Sequence, residues 1–262
     1  MKQLPNMITL GNLLCGSAAV VLAMRGHSGA LEQAGLLIFF AAILDFFDGM
    51  VARLVGADSA MGRELDSLAD VVSFGLAPSV LVLSSSGAMD HTSPVLWLIP
   101  FLLVIGAAWR LARFNIDTEQ TVYFKGLPAP ANGIFWASAV LWHDTPSEAS
   151  VSSISVWGSQ LPSGTLAMAT QQPEVWWLAG CFLFFVLMVS KLKLLNFKPK
   201  GLGWKGNESR YVILAGSVIS LAICQIVFSS LYAGIVLSLL LYLIVSLIHY
   251  YILKPHEIQS RN

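Results

Sequence analysis

The sequence predicts an all-α, polytopic membrane bundle of about eight transmembrane helices, and three observations carry that prediction. Of the 262 residues, 56% are hydrophobic and only 11% charged, with a mean hydropathy of +0.70. A soluble domain carries about 25% charged residues, so half the usual solvated surface is missing and most of the exterior must face lipid. Apolar runs of the length that crosses a bilayer, about 20 residues, recur near 7–24, 33–53, 65–85, 94–113, 128–143, 174–191, 210–229 and 232–253. If the N-terminus lies inside, fourteen of the fifteen Lys and Arg residues fall on the inner side and only Arg25 outside. Positive charge collects on the cytoplasmic side of membrane proteins, so both termini are expected there.

The first run follows Met1–Lys2, but no small-residue cleavage pattern comes after it and further apolar runs do, so it reads as a retained helix. The second, third and fifth runs carry polar residues or end on prolines. The longest outer connection, about 144–173, holds Asp144, Glu148 and many Ser, Thr and Gln residues but no Lys or Arg; it reads as a flexible surface excursion. Cys15, Cys181 and Cys224 lie inside apolar runs at no metal-ligand spacing and read as small buried hydrophobes. The whole chain, 1–262, reads as one membrane domain, and a net charge of zero gives no reason to expect a nucleic-acid partner.

The informative stretch runs from Leu44 to Pro78. Asp45 and Asp48, three apart, share a face near the inner end of the second helix; Asp66 and Asp70, four apart, share one at the start of the third. The turn around Val55–Ala60 brings these helices back antiparallel, so the two pairs can converge. One interfacial aspartate would be an ordinary helix-end charge. Four are not, because each carboxylate near the bilayer centre costs about 2.5–3.5 kcal/mol. Clustered carboxylates repel unless protons or cations intervene. An all-oxygen anionic site suits a hard divalent ion, Mg²⁺, Mn²⁺ or Ca²⁺, and has room for two; the lack of His or Cys argues against zinc. The interleaved Gly49, Ala52, Gly56, Gly62 and Ala69 let helices pack closely, leave a floor on which a flat ligand group lies, or do both. Arg53 either meets a phosphate or is a positive-inside anchor.

The spacing Asp45-x2-Asp48-Gly49-x2-Ala52-Arg53-x8-Gly62-x3-Asp66-x3-Asp70 resembles the signature of the CDP-alcohol phosphotransferase family at every fixed position. Those enzymes are membrane helical bundles, usually homodimers, that move a phosphatidyl-type group from a CDP-linked lipid to an alcohol and release CMP with divalent metals. The resemblance implies that Asp45, Asp48 and Asp66 ligate metal, and that Asp70 shares that role or deprotonates the acceptor hydroxyl. It also implies that Gly49, Ala52, Arg53 and Gly62 shape the nucleotide and diphosphate site. Such a displacement needs neutralised phosphoryl oxygens, a stabilised leaving group and an aligned nucleophile. Within the family, Leu68 to Gly75 with Ala77-Pro78, Arg110 to Asn115, Phe124 to Pro130, and Pro5-Asn6 with Thr9 and Asn12 resemble the membrane-bound phosphatidylserine synthases. That implies CDP-diacylglycerol and L-serine as substrates, a multi-pass protein of the cell membrane with its site toward the cytoplasm, membrane lipids as neighbours, and a catalytic core of about 1–195 with two extra helices at about 210–253.

Serine offers a carboxylate, an ammonium and the attacking hydroxyl. The inner loop after the fourth helix supplies Arg110, Arg113 and Lys125, with Asn115 as a neutral partner; an Arg fork reads a carboxylate best. The other reading makes these cations contacts to lipid headgroups, as Lys191, Lys193, Lys198, Lys200 and Lys205 are expected to be. Pro128 and Pro130 would fold this loop over the metal site. Ser73 is expected to bond either substrate or helix backbone; His91, His143 and His249 are assigned no role. The same chemistry with glycerol phosphate, inositol phosphate or choline is the near alternative. A cation-coupled transporter is disfavoured, because all four acids lie toward one face and no paired broken helices occur.

Overall fold

The computed structural model describes residues 3–56, 59–87, 89, 93–116, 123–144, 173–195 and 207–253. Helix α1 (Leu4–Ala23) opens on Pro5, whose missing N–H costs nothing in a first turn. Its buried side is small and polar, Thr9, Asn12, Gly16, Ala19 and Ala23, while Met7, Leu10, Leu14 and Val21 are exposed. Small residues inside and large apolar ones outside is the arrangement that lipid favours. Helix α2 (Ser28–Val55) begins where His27 Nδ1 accepts the Ala30 N–H at 3.2 Å. It stops at Gly56, left-handed at φ 61°, whose N–H returns to the Ala52 carbonyl.

Helix α3 (Ala60–Asp70) is capped by Ser59, whose Oγ accepts the Gly62 N–H at 3.0 Å. It widens into a π-helical turn, Val71–Leu76, and continues as α4 (Ala77–Ser85), one apolar rod of 26 residues. Pro78 has no N–H for the carbonyl of Phe74, four residues back. Asn132 Nδ2, from a later helix, donates to that carbonyl at 2.7 Å instead. A proline inside a membrane rod is tolerated here because a neighbouring helix re-satisfies the freed group.

Helix α5 (Leu102–Ile116) follows a 3₁₀ turn at Leu96–Leu98. Helix α6 (Ala129–Asp144) starts just after Pro128, and α7 (Pro173–Val189) follows. Helices α8 (Glu208–Phe228) and α9 (Leu231–Ile248) form a hairpin turning at Ser229, φ 50°, with the Ser220 and Ser238 hydroxyls 2.7 Å apart between them. A π turn, His249–Leu253, ends α9.

Helices thus occupy every apolar run singled out above. Among the described residues six rods are long and apolar enough to cross a membrane: Leu4–Ala23, Gly29–Val55, Ala60–Ser85, Leu96–Ile116, Glu208–Phe228 and Leu231–Tyr251. Helices α6 and α7, at 16 and 17 residues, are shorter. The all-helical expectation needs one addition, a ribbon of strands β1 (Tyr123–Lys125) and β2 (Lys193–Leu195), antiparallel with Lys125 opposite Lys193. Strands this short leave no alternation to read in the sequence. They form because two connections meet at one end of the bundle, where Gly126 (φ 80°) and Leu127 donate to the carbonyls of Leu192 (2.8 Å) and Leu187 (3.1 Å).

The core gathers around Phe74 in the π turn, with Ile38, Leu81, Leu103 and Met188 also fully buried. Gly133 lets α6 cross directly over Phe74: a methyl there would come within 2.6 Å of its ring. Cys181 and Cys224 are buried free thiols and Cys15 is half-buried. The outer loop at 145–172, His91 and Lys198, Lys200 and Lys205 lie outside the described residues.

Candidate active site

Asp45 and Asp48 come from α2 and Asp66 and Asp70 from α3, so the helical reversal at Gly56 does bring the two pairs together. One carboxylate oxygen from each of Asp45, Asp48 and Asp66 lies within 4.8 Å of the others. Asp70, nearly buried, adjoins Asp45 and Asp66. At an effective dielectric of about 20, two unit charges 4.8 Å apart repel by about 3.5 kcal/mol. Several such pairs at once require a compensating cation or bound protons.

Helix α1 holds the cluster in place. Thr9 Oγ donates to Asp48 Oδ2 at 2.7 Å, and Asn12 Nδ2 donates to Asp70 Oδ1 at 3.4 Å. Asn12 is itself fixed by Ser73, whose Oγ donates to the Asn12 carbonyl at 3.0 Å. Asp66 Oδ1 is buried and has no hydrogen-bond donor among the described residues. A hard divalent ion fits such a donor set: carboxylate oxygens from two helices, outer hydrogen bonds that orient them, and one buried oxygen left open.

Two cavities flank the cluster. The first, about 330 Å³, is bordered by Thr9, Asp48, Gly49, Ala52, Arg53, Gly62, Arg63 and Asp66. All four positions expected at the nucleotide and diphosphate site therefore border this cavity. Both readings of the small residues are represented here. A methyl on Gly49 would meet nothing within 4 Å, so Gly49 is open floor; one on Gly62 would press within 3.0 Å of Ser59 Oγ and 3.2 Å of Asn6 Oδ1, so Gly62 serves close packing. Arg53 Nε donates to the Gly49 carbonyl at 2.9 Å, which tethers its guanidinium beside that floor.

The second cavity, about 260 Å³, is bordered by Arg63, Asp66, Ser67, Asp70, Arg110, Asn115, Pro128 and Pro130 among others. Arg110 is only 8% exposed, its Nε has no partner among the described residues, and the charges of Asp70 and Asp45 lie close enough to act on it. Asn115 donates to Ser67 Oγ at 3.0 Å and Glu64 Oε2 at 3.4 Å. Pro128 and Pro130 do bring their loop against this cavity. Of the four residues expected to read the acceptor, Arg110 and Asn115 border the cavity and two do not. Arg113 Nη1 donates to the carbonyls of Val189 (3.2 Å) and Ser190 (3.4 Å), which ends α7. Lys125 sits in the β ribbon. Ser73 bonds backbone, the second of the two roles open to it.

Residues 2–162, covering α1 to α6, match the model of the CDP-alcohol phosphatidyltransferase family. The chain belongs to that family. Among the curated members of the CDP-alcohol phosphatidyltransferases it is similar to the CDP-diacylglycerol–serine O-phosphatidyltransferase of Bacillus subtilis, at 40% identity over 141 residues, 51% of this chain and 73% of that one. It is 32% identical over 206 residues to the protein of the same name from Mycobacterium tuberculosis, covering 76% of this chain and 61% of that one. The archaetidylserine synthase of Methanothermobacter thermautotrophicus is 34% identical over 140 residues, 53% of this chain and 58% of that one. The alignments thus span less than two thirds of the mycobacterial and archaeal relatives. In this CDP-alcohol phosphatidyltransferase, helices α7 to α9 lie beyond the matched region. Asn12 and Thr9, which the sequence linked to the family only by resemblance, have a physical task as the hydrogen-bond supports of Asp70 and Asp48.

Proposed function

We propose that the chain transfers the phosphatidyl group of CDP-diacylglycerol to the hydroxyl of L-serine, giving phosphatidylserine and CMP. The observation that carries this reading is the pair of cavities meeting at one aspartate cluster, one floored by Gly49 and one lined by Arg110. Asp45, Asp48, Asp66 and Asp70 would hold a divalent cation, Mg²⁺ or Mn²⁺, with room for two. Bound there, it would neutralise the phosphoryl oxygens and the phosphate of the departing CMP.

The protein's own groups do the rest. The first cavity takes the CDP end of the donor, with the cytidine diphosphate against Gly49, Ala52 and Gly62 and its charge facing Arg53. The second takes serine, whose carboxylate is bound by Arg110. Asp70, on the wall of that second cavity, accepts the hydroxyl proton. The serine oxygen bonds to phosphorus, the bond from phosphorus to the oxygen of CMP breaks, and CMP leaves.

Arg110 also argues against the other acceptors. A buried guanidinium repels choline, which has no carboxylate to pair with it. Glycerol phosphate or inositol phosphate would need a cluster of cations, whereas Arg110 and Arg63 are the only two on that wall among the described residues. The names of the relatives support serine. The site end of the bundle also carries Arg53, Arg63, Arg110, Arg113 and Lys125, and the opposite end carries Arg25, which supports a cytoplasmic site, eight crossings, and both termini inside the cell membrane. The proposal includes a homodimer surrounded by membrane lipid, with α8 and α9 added to the core. An acceptor panel of radiolabelled serine, glycerol 3-phosphate, inositol phosphate and choline, each with CDP-diacylglycerol, tests it. Label is expected in lipid with serine alone; incorporation of another acceptor and not serine overturns the reading.

A further inference from the structure

The two cavities share two bordering residues, Asp66 and Arg63. Asp66 belongs to the carboxylate cluster, which leaves Arg63 as the cation common to both. Arg53 borders only the first cavity and Arg110 only the second. Arg63 lies three residues before Asp66 on α3, so the two side chains share a face of the helix. Its backbone is anchored, the N–H to the Ser59 carbonyl at 3.2 Å and the carbonyl to Ser67 Oγ at 3.0 Å. Its side chain is exposed, and no described carboxylate lies within ion-pair distance of it. A fixed Cα with an uncommitted guanidinium at the junction of two compartments suits a group that engages only when both are filled.

We propose that Arg63 is a further catalytic residue, whose guanidinium contacts the phosphate being transferred. The inference rests on the transfer reading above. The donor's phosphorus enters from the first cavity and the acceptor hydroxyl from the second, so the new bond forms at their boundary. Arg63 is the cation that borders both cavities among the described residues, and so the one best placed at that point. As the serine oxygen adds and the CMP oxygen departs, negative charge builds on the non-bridging oxygens. A planar fork of N–H donors binds two of those oxygens at once, and a contact that tightens as charge develops lowers the barrier rather than the ground state. Arg53, tethered to the Gly49 carbonyl on the donor side, is left to hold the phosphate of the departing CMP. A lipid-headgroup anchor or a ground-state grip on the donor would be the ordinary role of an exposed arginine here, and kinetics separate them.

The test uses the full chain in nanodiscs with CDP-diacylglycerol, Mn²⁺ and the acceptor that the wild type uses best, reading CMP release at saturating substrates. Arg63→Gln is expected to lower kcat by about 100-fold with the KM of either substrate within about threefold, and an unchanged thermal unfolding midpoint. Arg63→Lys, which keeps the charge but loses the fork, recovers part of that loss. A wild-type kcat in Arg63→Gln, or a raised donor KM at unchanged kcat, overturns the inference. Serine inert in a wild type that is active with another acceptor overturns the serine reading instead, and the Arg63 comparison is then decided with that acceptor.

Discussion

Replacing Gly49 with alanine sets two effects of opposite sign against each other. In the protein the new methyl meets no atom within 4 Å, so packing is untouched. An alanine inside α2 also gains about 0.5–1 kcal/mol over glycine, because the unfolded chain loses less freedom. Stability should therefore rise, by about 2 °C in the unfolding midpoint. The same methyl stands on the floor of the first cavity. One misplaced methyl group in a fitted site costs about 1–3 kcal/mol, tenfold or more in specificity, and a floor this open calls for the lower end. Initial rates of CMP release, measured against the mole fraction of CDP-diacylglycerol in mixed micelles, should show kcat/KM down about tenfold. The loss should lie in the donor KM, with the serine KM unchanged. A more stable variant with a wild-type donor KM would refute the assignment of this cavity to the donor. A less stable one would show that Gly49 packs against something after all.

Four further outcomes follow from the same geometry. Asp66→Asn should abolish CMP release and also remove Mn²⁺-induced thermal stabilisation, which for an intact site at 100 times its Kd amounts to about 2.7 kcal/mol; a Mn²⁺ shift as large as that of the wild type would contradict the metal role. Arg110→Lys should raise the serine KM about tenfold while the donor KM stays put, since the ammonium lacks the bidentate fork, whereas Arg113→Gln should cost about 1 kcal/mol of stability through the end of α7 and leave the serine KM alone. Gly133→Ala, at a position that borders neither cavity, should destabilise the fold by about 1–3 kcal/mol through its clash with Phe74, with KM values unchanged in the folded fraction.

What the sequence made legible were features that follow from short-range spacing. Aspartates three and four apart share a helix face wherever the helix forms, and the turn around Val55–Ala60 falls where α2 ends. The pairing of α2 with α3 was readable because the turn between them is short. The split of the four acceptor candidates was not. Arg110 and Arg113 are one turn apart on α5, yet one is buried beside Asp70 and the other caps α7, and which face meets which neighbour is decided by packing. The β ribbon was hidden for the same reason, as its strands are 68 residues apart even at their nearest pairing in sequence, Lys125 with Lys193. Asn132 gave no local sign of its role, because its partner is a carbonyl orphaned by Pro78 in a different helix. Thr9 and Asn12 sit on the buried face of α1, but that α1 crosses beside the aspartates is a tertiary fact.

Transfer at the aspartate cluster is tested most directly by following CMP and phosphatidylserine together in the purified chain, stripped of metal with EDTA and then resupplied with Mn²⁺. The account predicts no turnover in the stripped protein, equimolar formation of the two products on metal addition, and neither product from Asp45→Asn. CMP release without phosphatidylserine, or an undiminished rate in Asp45→Asn, would contradict it.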